Sequence, residues 1–458
     1  MIAFFYLDKI DALRVIKYNK CIKIRIFFML NRFFETIRKV TPEKWQWVLN
    51  HEGFKRYFAN TGWMFLGQML SLIISFFIGA WLARYLGPEN YGIISYVVAF
   101  AGLFAFIASL GVDGILSREL VAHPEQRDEL MGTAFNLKLL GGVIAFLVTV
   151  VAAFIFESVP LIRYLIILYS LIFIVQAINV ISIFFQANVL SKNNVRSVLT
   201  ATIISSVLKI ILIISGSGII WLALIYFLDS VWQCLGYLVA YRRYNLKITD
   251  WKFNKQLAKK IISSSWFLML SLASVYIYMK IDQVMIGQFM GEKAVGLYAA
   301  AVKFVEIWYF VPAIICSSLF PAIINAKNTN YLVYKKRLKA LYILMIGIAV
   351  IIALPSTILA PWAINFLFGH EYLASIPVLQ IYIWSGVGLF LGWAINQYLL
   401  SENRIHTIFY YNLLAMLTNV VLNLILIPKL GLTGAAWATL ISYSVGPIVI
   451  WIIDRKKV

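Results

Sequence analysis

The sequence predicts an all-α integral membrane protein, with twelve transmembrane helices in two six-helix repeats around a central cavity. The prediction rests on an apolar composition, regularly spaced apolar segments and an internal repeat. Of the 458 residues, 62% are hydrophobic and 13% are charged, and the mean hydropathy is +0.84. In a typical soluble protein about a quarter of the residues are charged. Most of this protein's surface must therefore contact lipid.

Apolar segments of spanning length occur twelve times along the chain. The hydrocarbon core of a bilayer is about 30 Å thick, so each helix needs about 20 apolar residues to cross it. Turn-forming residues separate the segments, as in Gly-Pro-Glu-Asn at residues 87–90. The twelve predicted helices lie at residues 60–83, 91–112, 131–156, 163–186, 197–215, 218–240, 262–290, 295–322, 339–364, 376–400, 406–428 and 434–453.

The distribution of lysine and arginine predicts the orientation. With the N-terminus inside, 32 of the 40 basic residues lie in cytoplasmic segments and 4 in exoplasmic loops, and the remaining 4 lie inside predicted helices. Basic residues concentrate on the cytoplasmic side of membrane proteins. The formal net charge of +20 is therefore explained by topology and excludes a nucleic-acid partner. We expect a multi-pass protein of the cytoplasmic (inner) membrane with both termini in the cytoplasm.

Short matching segments recur in the two halves of the chain, in the same order and always between helices that are six apart. The separation between the two members of a pair is nearly constant along the chain, which indicates an internal repeat. Because six is an even number, the two repeats have the same orientation in the membrane. The matching pairs are Tyr85-Leu86-Gly87 with Phe289-Met290-Gly291, Leu190-Ser191 with Leu400-Ser401, and Gly218-Ile219-Ile220-Trp221 with Gly434-Ala435-Ala436-Trp437.

The repeat predicts the domain organisation. Residues 53–240 form the N-terminal six-helix lobe, residues 241–261 a basic cytoplasmic linker, and residues 262–453 the C-terminal lobe, followed by a cytoplasmic tail at 454–458. Residues 1–52 form a basic extension that lies in the cytoplasm or on the membrane surface. The alternative for the extension is a start codon assigned too early, with Met29 or a nearby position as the true beginning.

Several segments resemble the oligosaccharide flippases of polysaccharide biosynthesis, the Wzx type. The resemblance extends from about residue 50 to the end of the chain. The segments that carry it are Phe54-Lys55-Arg56-Tyr57, Asn60-Thr61-Gly62-Trp63, Ala83-Arg84-Tyr85-Leu86-Gly87-Pro88, Arg118-Glu119-Leu120, Leu130-Met131-Gly132-Thr133-Ala134-Phe135, Lys280-Ile281-Asp282-Gln283 and Gly431-Leu432-Thr433-Gly434-Ala435-Ala436-Trp437-Ala438.

The resemblance implies a two-lobed fold like that of the multidrug and toxic-compound exporters. It implies the transport of a polyprenyl-diphosphate-linked oligosaccharide, such as an O-antigen, capsule or exopolysaccharide repeat unit, to the outer leaflet. The partners it implies are membrane lipids, polysaccharide polymerase and chain-length proteins. No cofactor is implied.

Ionisable residues inside the predicted helices are the candidate site. Each costs about 3 kcal/mol or more in a membrane, so such residues usually face a protein or water interior. For an anionic lipid head group in the cavity, the candidates are Lys280, Lys303, Lys138, Lys209 and, near a cytoplasmic helix end, Arg118. Lys138 and Lys209 would equally well extend toward the nearest membrane surface.

Three carboxylates accompany the lysines: Asp282, Glu306 and Asp229. They either bind a coupling ion, a proton or sodium, or only neutralise the lysines. Lys303 stands three residues before Glu306, which favours an ion pair on one helix face. The three cysteines are far apart, so the sequence predicts neither a disulfide framework nor a metal site.

Two other functions compete with the flippase. A cation-coupled drug or small-molecule antiporter would share the fold, but buried lysines disfavour a cationic cargo. A membrane-embedded polysaccharide polymerase or ligase would need an exoplasmic site, and the longest predicted exoplasmic loop carries only two ionisable residues, His370 and Glu371. We therefore expect a transporter rather than an enzyme.

Overall fold

The computed structural model describes residues 52–454, and every regular segment in this range is a helix. The predicted all-α class is confirmed. Most of the basic extension (1–52) and of the C-terminal tail (454–458) lies outside the described residues. In the following, the first half means residues 62–242 and the second half residues 255–454.

The α-helices of the first half are α1 (Glu52–Gly102), α2 (Ala105–Ser109), α3 (Val112–Ala122), α4 (Arg127–Phe156), α5 (Pro160–Ser170), α6 (Ile172–Val175), α7 (Val180–Ala187), α8 (Ser191–Ile214) and α9 (Ile219–Arg242). Those of the second half are α10 (Lys255–Met290), α11 (Glu292–Glu306), α12 (Phe310–Thr329), α13 (Tyr331–Phe368), α14 (Ile376–Tyr382), α15 (Ser385–Ser401), α16 (Ile405–Leu430) and α17 (Leu432–Asp454). Four 3-10 helices connect or interrupt them, at Pro124–Gln126, Gln176–Asn179, Ile248–Asp250 and His370–Ser375.

Ten helical segments of the described chain are long and apolar enough to cross a membrane, and one bent pair, with α14 and α15 at 42°, brings the number to eleven. The longest segment, Gly62–Gly102, has 41 residues, which is about 60 Å of helix and twice a bilayer core. Its backbone leaves the helical conformation at Gly87 (φ 69, ψ 170), directly before Pro88. This is the turn that the sequence predicts between helices 1 and 2. A chain reversal there would complete the predicted twelve.

The helices break inside the membrane at matching positions of the two halves. α1 ends at Gly102 and α11 at Glu306, and each end follows the matched glycine of its own half, Gly87 or Gly291, by the same distance along the chain. Predicted helix 4 is interrupted by the 3-10 helix Gln176–Asn179, and predicted helix 10 by the bend between α14 and α15. Irregular backbone at membrane depth occurs where it is buried in protein or lines a polar cavity. The breaks therefore indicate where a polar interior lies.

At the predicted exoplasmic end the two halves touch through their backbones. A Cβ atom added to Gly92 of α1 would lie 1.8 Å from the carbonyl oxygen of Glu292, and one added to Gly296 of α11 would lie 1.8 Å from that of Pro88. The hydroxyl of Tyr372 in the second half donates a hydrogen bond to the carbonyl oxygen of Ala83, at 2.7 Å. This end of the molecule is therefore closed.

At the predicted cytoplasmic end, the contacts between the halves lie along the start of α10. The side chain of Asn254 caps α10 by accepting hydrogen bonds from the backbone N–H groups of Gln256 and Leu257. The backbone N–H of Asn254 donates to Thr133 Oγ1 of α4 at 3.0 Å. In contrast, α12 packs mainly on α13 and α15 of its own half. The start of α10 therefore attaches the second half to the first at this end.

The orientation can be tested by labelling single cysteines in intact cells with a membrane-impermeant maleimide. In a Cys21→Ser parent, cysteines at Glu89 and Lys293 should label from outside, because both positions are exposed in predicted exoplasmic turns. A cysteine at Lys247 in the linker should label only after the membrane is permeabilised. The parent is the control, since Cys234 and Cys316 are buried. Labelling of position 247 from outside would show that the orientation is wrong.

Candidate functional site

Charged side chains from both halves meet midway along the bundle. Lys303 lies eleven residues after the start of α11, and Lys280 ten residues before the end of α10. At 1.5 Å per residue these positions are about 15–17 Å from the predicted exoplasmic end, half the thickness of a bilayer core. All five members are partly exposed to the interior. We call this group the central charged cluster; it consists of Lys209 (α8), Asp229 (α9), Lys280 (α10), Lys303 and Glu306 (both α11).

Lys280 and Glu306 form an ion pair that connects α10 with α11. Lys280 Nζ lies 3.1 Å from Glu306 Oε1, and their side chains are 25% and 35% exposed. The predicted pairing of Glu306 with Lys303 is wrong. The side chain of Lys303 extends instead to α1, where Gly79 leaves a recess, and a Cβ atom at Gly79 would lie 1.7 Å from the ammonium nitrogen. The spacing of Lys303 and Glu306 predicts that they share one face of α11. It does not predict the recess at Gly79, which lies on another helix.

Lys209 and Lys303 have no carboxylate oxygen within 4 Å among the described residues. Aromatic rings lie beside both ammonium groups: Lys209 Nζ is 4.3 Å from the ring centroid of Tyr226, and Lys303 Nζ is 5.9 Å from that of Tyr91. An aromatic face attracts a cation without neutralising it. Among the described residues, these two lysines therefore contact aromatic rings rather than carboxylates.

Asp229 faces the same region from α9 without closing an ion pair. Its Oδ1 atom accepts a hydrogen bond from the hydroxyl of Ser205 at 2.8 Å. Asp229, Lys209 and the hydroxyl side chains of α8 line a small polar recess against α1. The carboxylate of Asp229 and the ammonium group of Lys209 thus line the same recess.

The structure does not bring Lys138 and Arg118 to the cluster. Lys138 is 7% exposed and lies 2.6 Å from the carboxylate of Asp113 on α3. The Arg118 side chain is 70% exposed and donates to Glu119 at 3.0 Å, and Lys260 of α10 lies 3.4 Å from the same carboxylate. The hydrogen bond from Arg118 holds the pKa of the Glu119 carboxyl below its usual range. The contact between Glu119 and Lys260 connects α3 with α10 at the predicted cytoplasmic end.

Asp282 occupies a third environment, in the core of the second half. It is 1% exposed. One carboxylate oxygen accepts from the hydroxyl of Tyr298 at 2.6 Å and the other from the backbone N–H of Gln283 at 2.8 Å. Residues two apart on a helix point in different directions, so Asp282 faces the core while Lys280 faces the cluster.

Sequence reasoning missed several residues around the charges. Tyr226 stands three residues before Asp229 on α9, a spacing that places both on one face and could have indicated it. Asn419 and Asn423 are fully buried in α16. They are four residues apart, a spacing that places both amides on one helix face and could also have indicated them. No pattern in the sequence marks Gly79 or Tyr91 as neighbours of Lys303, because these contacts join different halves.

The closed end, the mid-membrane breaks and the central charged cluster define the class: a multi-pass membrane transport protein. The chain belongs to the polysaccharide biosynthesis protein family, which matches residues 57–327. A second family, MatE, matches residues 268–425. The resemblance to the transporters of polysaccharide biosynthesis that the sequence indicated is confirmed. Family membership agrees with the prediction of a transporter rather than an enzyme.

Curated relatives come from archaea. The chain is 28% identical to the probable flippase AglR of Haloferax volcanii over 183 residues, 38% of this chain and 37% of AglR. It is 23% identical to the uncharacterized membrane protein MJ1068 of Methanocaldococcus jannaschii over 433 residues, 86% of this chain and 83% of that protein. The matched part thus spans under half of AglR and most of MJ1068.

Solved structures show the same fold. The lipid II flippase MurJ in an inward closed conformation has a TM-score of 0.66 at 17% identity, covering 85% of this chain and 87% of MurJ. An inward-facing transporter of the multidrug resistance MATE family has a TM-score of 0.65 at 16% identity, covering 84% of this chain and 94% of that one. The predicted exporter fold is confirmed.

The ion pair can be tested by a double-mutant cycle on thermal stability in detergent. Lys280→Gln and Glu306→Gln should each destabilise the protein, and the double variant should recover about 1 kcal/mol, because contacting charges couple by that order. The comparison cycle combines Lys303→Gln with Glu306→Gln and should show little coupling. Stronger coupling in the comparison cycle would restore the pairing expected from sequence.

Proposed function

We propose that this protein is a flippase that moves a polyprenyl-diphosphate-linked oligosaccharide from the inner to the outer leaflet of the cytoplasmic membrane by alternating access. The observation that carries the proposal is the central charged cluster, in which lysines from both halves meet beneath a closed end. Membership in the polysaccharide biosynthesis family and the similarity to AglR, named a probable flippase, support it. The cargo is an O-antigen, capsule or exopolysaccharide repeat unit.

The cluster suits an anionic head group. A diphosphate cannot enter hydrocarbon unaccompanied, because an unpaired charge there costs many kcal/mol. Lysine ammonium groups bind phosphate as point charges. Among the described residues, no carboxylate lies within 4 Å of the ammonium group of Lys209 or Lys303, so both can contact a phosphate. The same two lysines would repel the cargo of a cation antiporter.

A polymerase or ligase would need an active site in an exoplasmic segment. In this protein the longest predicted exoplasmic loop makes a structural contact instead. The segment between α13 and α14 is the 3-10 helix His370–Ser375. Its Tyr372 is buried and bonded to Ala83 of α1, and Ser375 donates to the carbonyl oxygen of Leu297. The segment seals the two halves together, which favours a transporter over an enzyme.

The membrane potential supplies the direction of transport. A potential that is negative inside favours outward movement of an anion by about 2.3 kcal/mol per charge per 100 mV. A diphosphate with two charges therefore gains roughly 4–5 kcal/mol on leaving, provided that the protein's lysines stay in place. The protein's task is to lower the desolvation barrier and then to release the cargo.

The moving parts are the two lobes predicted from the repeat, residues 53–240 and 262–453, joined by the linker 241–261. Both termini lie in the cytoplasm in this proposal. The cargo is delivered to polysaccharide polymerase and chain-length proteins on the outer side.

Asp282 is the carboxylate that we assign to a coupling ion, a proton or sodium. Of the three candidates, Glu306 is neutralised by Lys280, and Asp229 lines the same recess as Lys209. Asp282 is buried and has hydrogen-bond donors but no salt-bridge partner among the described residues. A buried carboxylate without a counter-ion is stabilised by binding a cation.

Replacing Lys303 tests the anionic cargo. Lys303→Gln should slow transport at least tenfold because the head group loses a counter-charge, and Lys303→Arg should keep much of the activity. The measurement is the flipping of a fluorescent lipid-linked oligosaccharide in proteoliposomes under an imposed potential. Lys339→Gln, at an exposed position outside the cluster, is the control of equal charge. Normal transport by a well-expressed Lys303→Gln variant would contradict the proposal.

Replacing Asp282 tests ion coupling. In proteoliposomes with a separately imposed proton or sodium gradient, Asp282→Asn should abolish the dependence on that gradient, since an amide cannot be protonated and is a weaker cation ligand. Flux driven by the potential alone should continue. Glu306→Gln serves as the comparison. Gradient dependence that survives in Asp282→Asn would remove this residue from the coupling role.

A further inference from the structure

The internal repeat relates two contacts between the halves at the predicted exoplasmic end. Because Gly87 matches Gly291, Ala83 and Gly287 occupy equivalent positions, each four residues before its glycine. Each position is met by the turn between the third and fourth predicted helices of the opposite half. The 3-10 helix His370–Ser375 meets α1 at Ala83, and the turn between α4 and α5 meets α10 beside Gly287. Two equivalent contacts thus help to close this end.

The first of these contacts is filled by an aromatic side chain. Tyr372 is 1% exposed, and its hydroxyl donates to the carbonyl oxygen of Ala83 at 2.7 Å. Its ring packs edge-on against that of Tyr91 on α1, with the ring centroids 6.3 Å apart. We call this contact the Tyr372 side. It is a packed seal with a buried hydrogen bond.

The equivalent contact contains a polar cavity instead of an aromatic side chain. The volume of the cavity is about 140 Å³. Both halves line it, the first through Tyr96, Phe156, Glu157 and Ser158, and the second through Gly287, Gln288 and Glu292. Gln288 is exposed, so water reaches the contact from the predicted exoplasmic surface. We call this contact the Gln288 side.

Hydrogen bonds from one side chain cross the Gln288 side. The Nε2 atom of Gln288 donates to the hydroxyl of Tyr96 at 2.6 Å and to the carbonyl oxygen of Phe156 at 3.3 Å. Tyr96 is 2% exposed, and its ring lies against Gly287, where an added Cβ atom would be 2.5 Å from it. The acceptor is therefore held in place by packing, whereas the donor is an exposed side chain whose hydrogen bonds water can replace.

Two carboxylates from opposite halves line the same cavity, Glu157 and Glu292. The carboxylate of Glu157 accepts a hydrogen bond from the backbone N–H of Val159 at 2.8 Å. The guanidinium of Arg163 donates to the backbone carbonyl oxygen of Glu157 at 2.7 Å, and Lys293 is exposed. No basic side chain is among the described residues that line the cavity. Repulsion between the two carboxylates therefore favours separation of the halves on this side.

We infer that Gln288 is a latch on the weaker of the two equivalent contacts, and that the exoplasmic end opens first on the Gln288 side while the Tyr372 side still holds. This inference rests on the alternating access of the proposed function but not on its cargo. Packing closes one contact, and hydrogen bonds that act against a charge repulsion close the other. Hydrogen bonds that water can replace break more readily than a contact that buries an aromatic ring.

The test compares two equivalent reporter positions, one helical turn beneath each contact. Ala80 in α1 and Val284 in α10 are 2% and 8% exposed, and both belong to the core that joins the halves. A cysteine is added at either position to the Cys21→Ser parent, and intact cells are treated with an impermeant maleimide. The reagent reaches these positions only when the exoplasmic end opens. Position 284 should label at least threefold faster than position 80.

Removing the latch should speed opening on its own side. Gln288→Ala should raise the labelling rate at position 284 at least threefold. Tyr96→Phe keeps the ring but removes the hydroxyl, and it should act in the same direction. The double variant should exceed Gln288→Ala only slightly, because both substitutions remove one shared interaction.

Removing either carboxylate should have the opposite effect. Glu157→Gln and Glu292→Gln keep the size of the side chain but remove the repulsion, so each should lower the labelling rate at position 284 at least twofold. A general loss of stability would instead speed labelling in every variant and at both positions. The opposite signs therefore separate the latch from misfolding.

Two matched controls lie at the same end of the molecule but outside the cavity. Asn90→Ala removes an exposed amide that donates to the carbonyl oxygen of Leu86 in its own helix at 3.3 Å and so does not connect the halves. Glu89→Gln removes an exposed carboxylate. Neither should change the labelling rate at position 284 or at position 80.

The outcomes distinguish the latch from the proposed function. Equal labelling rates at positions 80 and 284, an unchanged rate at position 284 in Gln288→Ala, or faster labelling in both glutamate variants would each overturn the latch. Oligosaccharide flipping in proteoliposomes reports on the flippase separately. Flipping with equal labelling rates would leave the proposed function without this latch, and the expected labelling order without flipping would leave the latch without the proposed cargo.

Discussion

The contact between the backbones at Gly92 and Gly296 fixes much of the arrangement of the described chain. Two helices approach this closely only where neither carries a side chain, and the contact sets α11 of the second half directly against α1 of the first. Tyr372 reinforces it from the adjoining 3-10 helix. With these elements in place, the end of α11 lies midway across the membrane, and Lys303 reaches Gly79. The seal at one end and the charged interior are thus consequences of one packing interaction.

The lysines inside the predicted helices have two kinds of surroundings. Lys138 and Lys280 are neutralised, and in each case the ion pair connects two different helices. Lys209 and Lys303 contact aromatic rings, which reduce the cost of burying a cation without cancelling its charge. Neutral pairs maintain structure, whereas an ammonium group over a ring can still bind an anion. In the proposed cycle these two roles belong to different residues of one cavity.

The sequence predicted the features that depend on composition and periodicity. The helical class follows from hydropathy, and the breaks after Gly102 and Glu306 fall at equivalent positions of the internal repeat. The sequence did not predict which residues contact the lysines. Asp113, the partner of Lys138, lies 25 positions away in a segment predicted as a loop, and Gly79 lies in the opposite half of the chain from Lys303. Sequence spacing identifies neighbours on one helix, while the choice of partner between helices depends on available space.

The cap of α10 bears on how the halves can move. Asn254 caps the start of α10 and is hydrogen-bonded to Thr133 and Glu129 of α4. The backbone N–H of Lys252 donates to the carbonyl oxygen of Asp128. The connection between the repeats is therefore attached to the first half up to the helix that begins the second. These hydrogen bonds hold the connection against the first half. In the proposed cycle, a rocking motion of the second half would therefore turn about the first residues of α10.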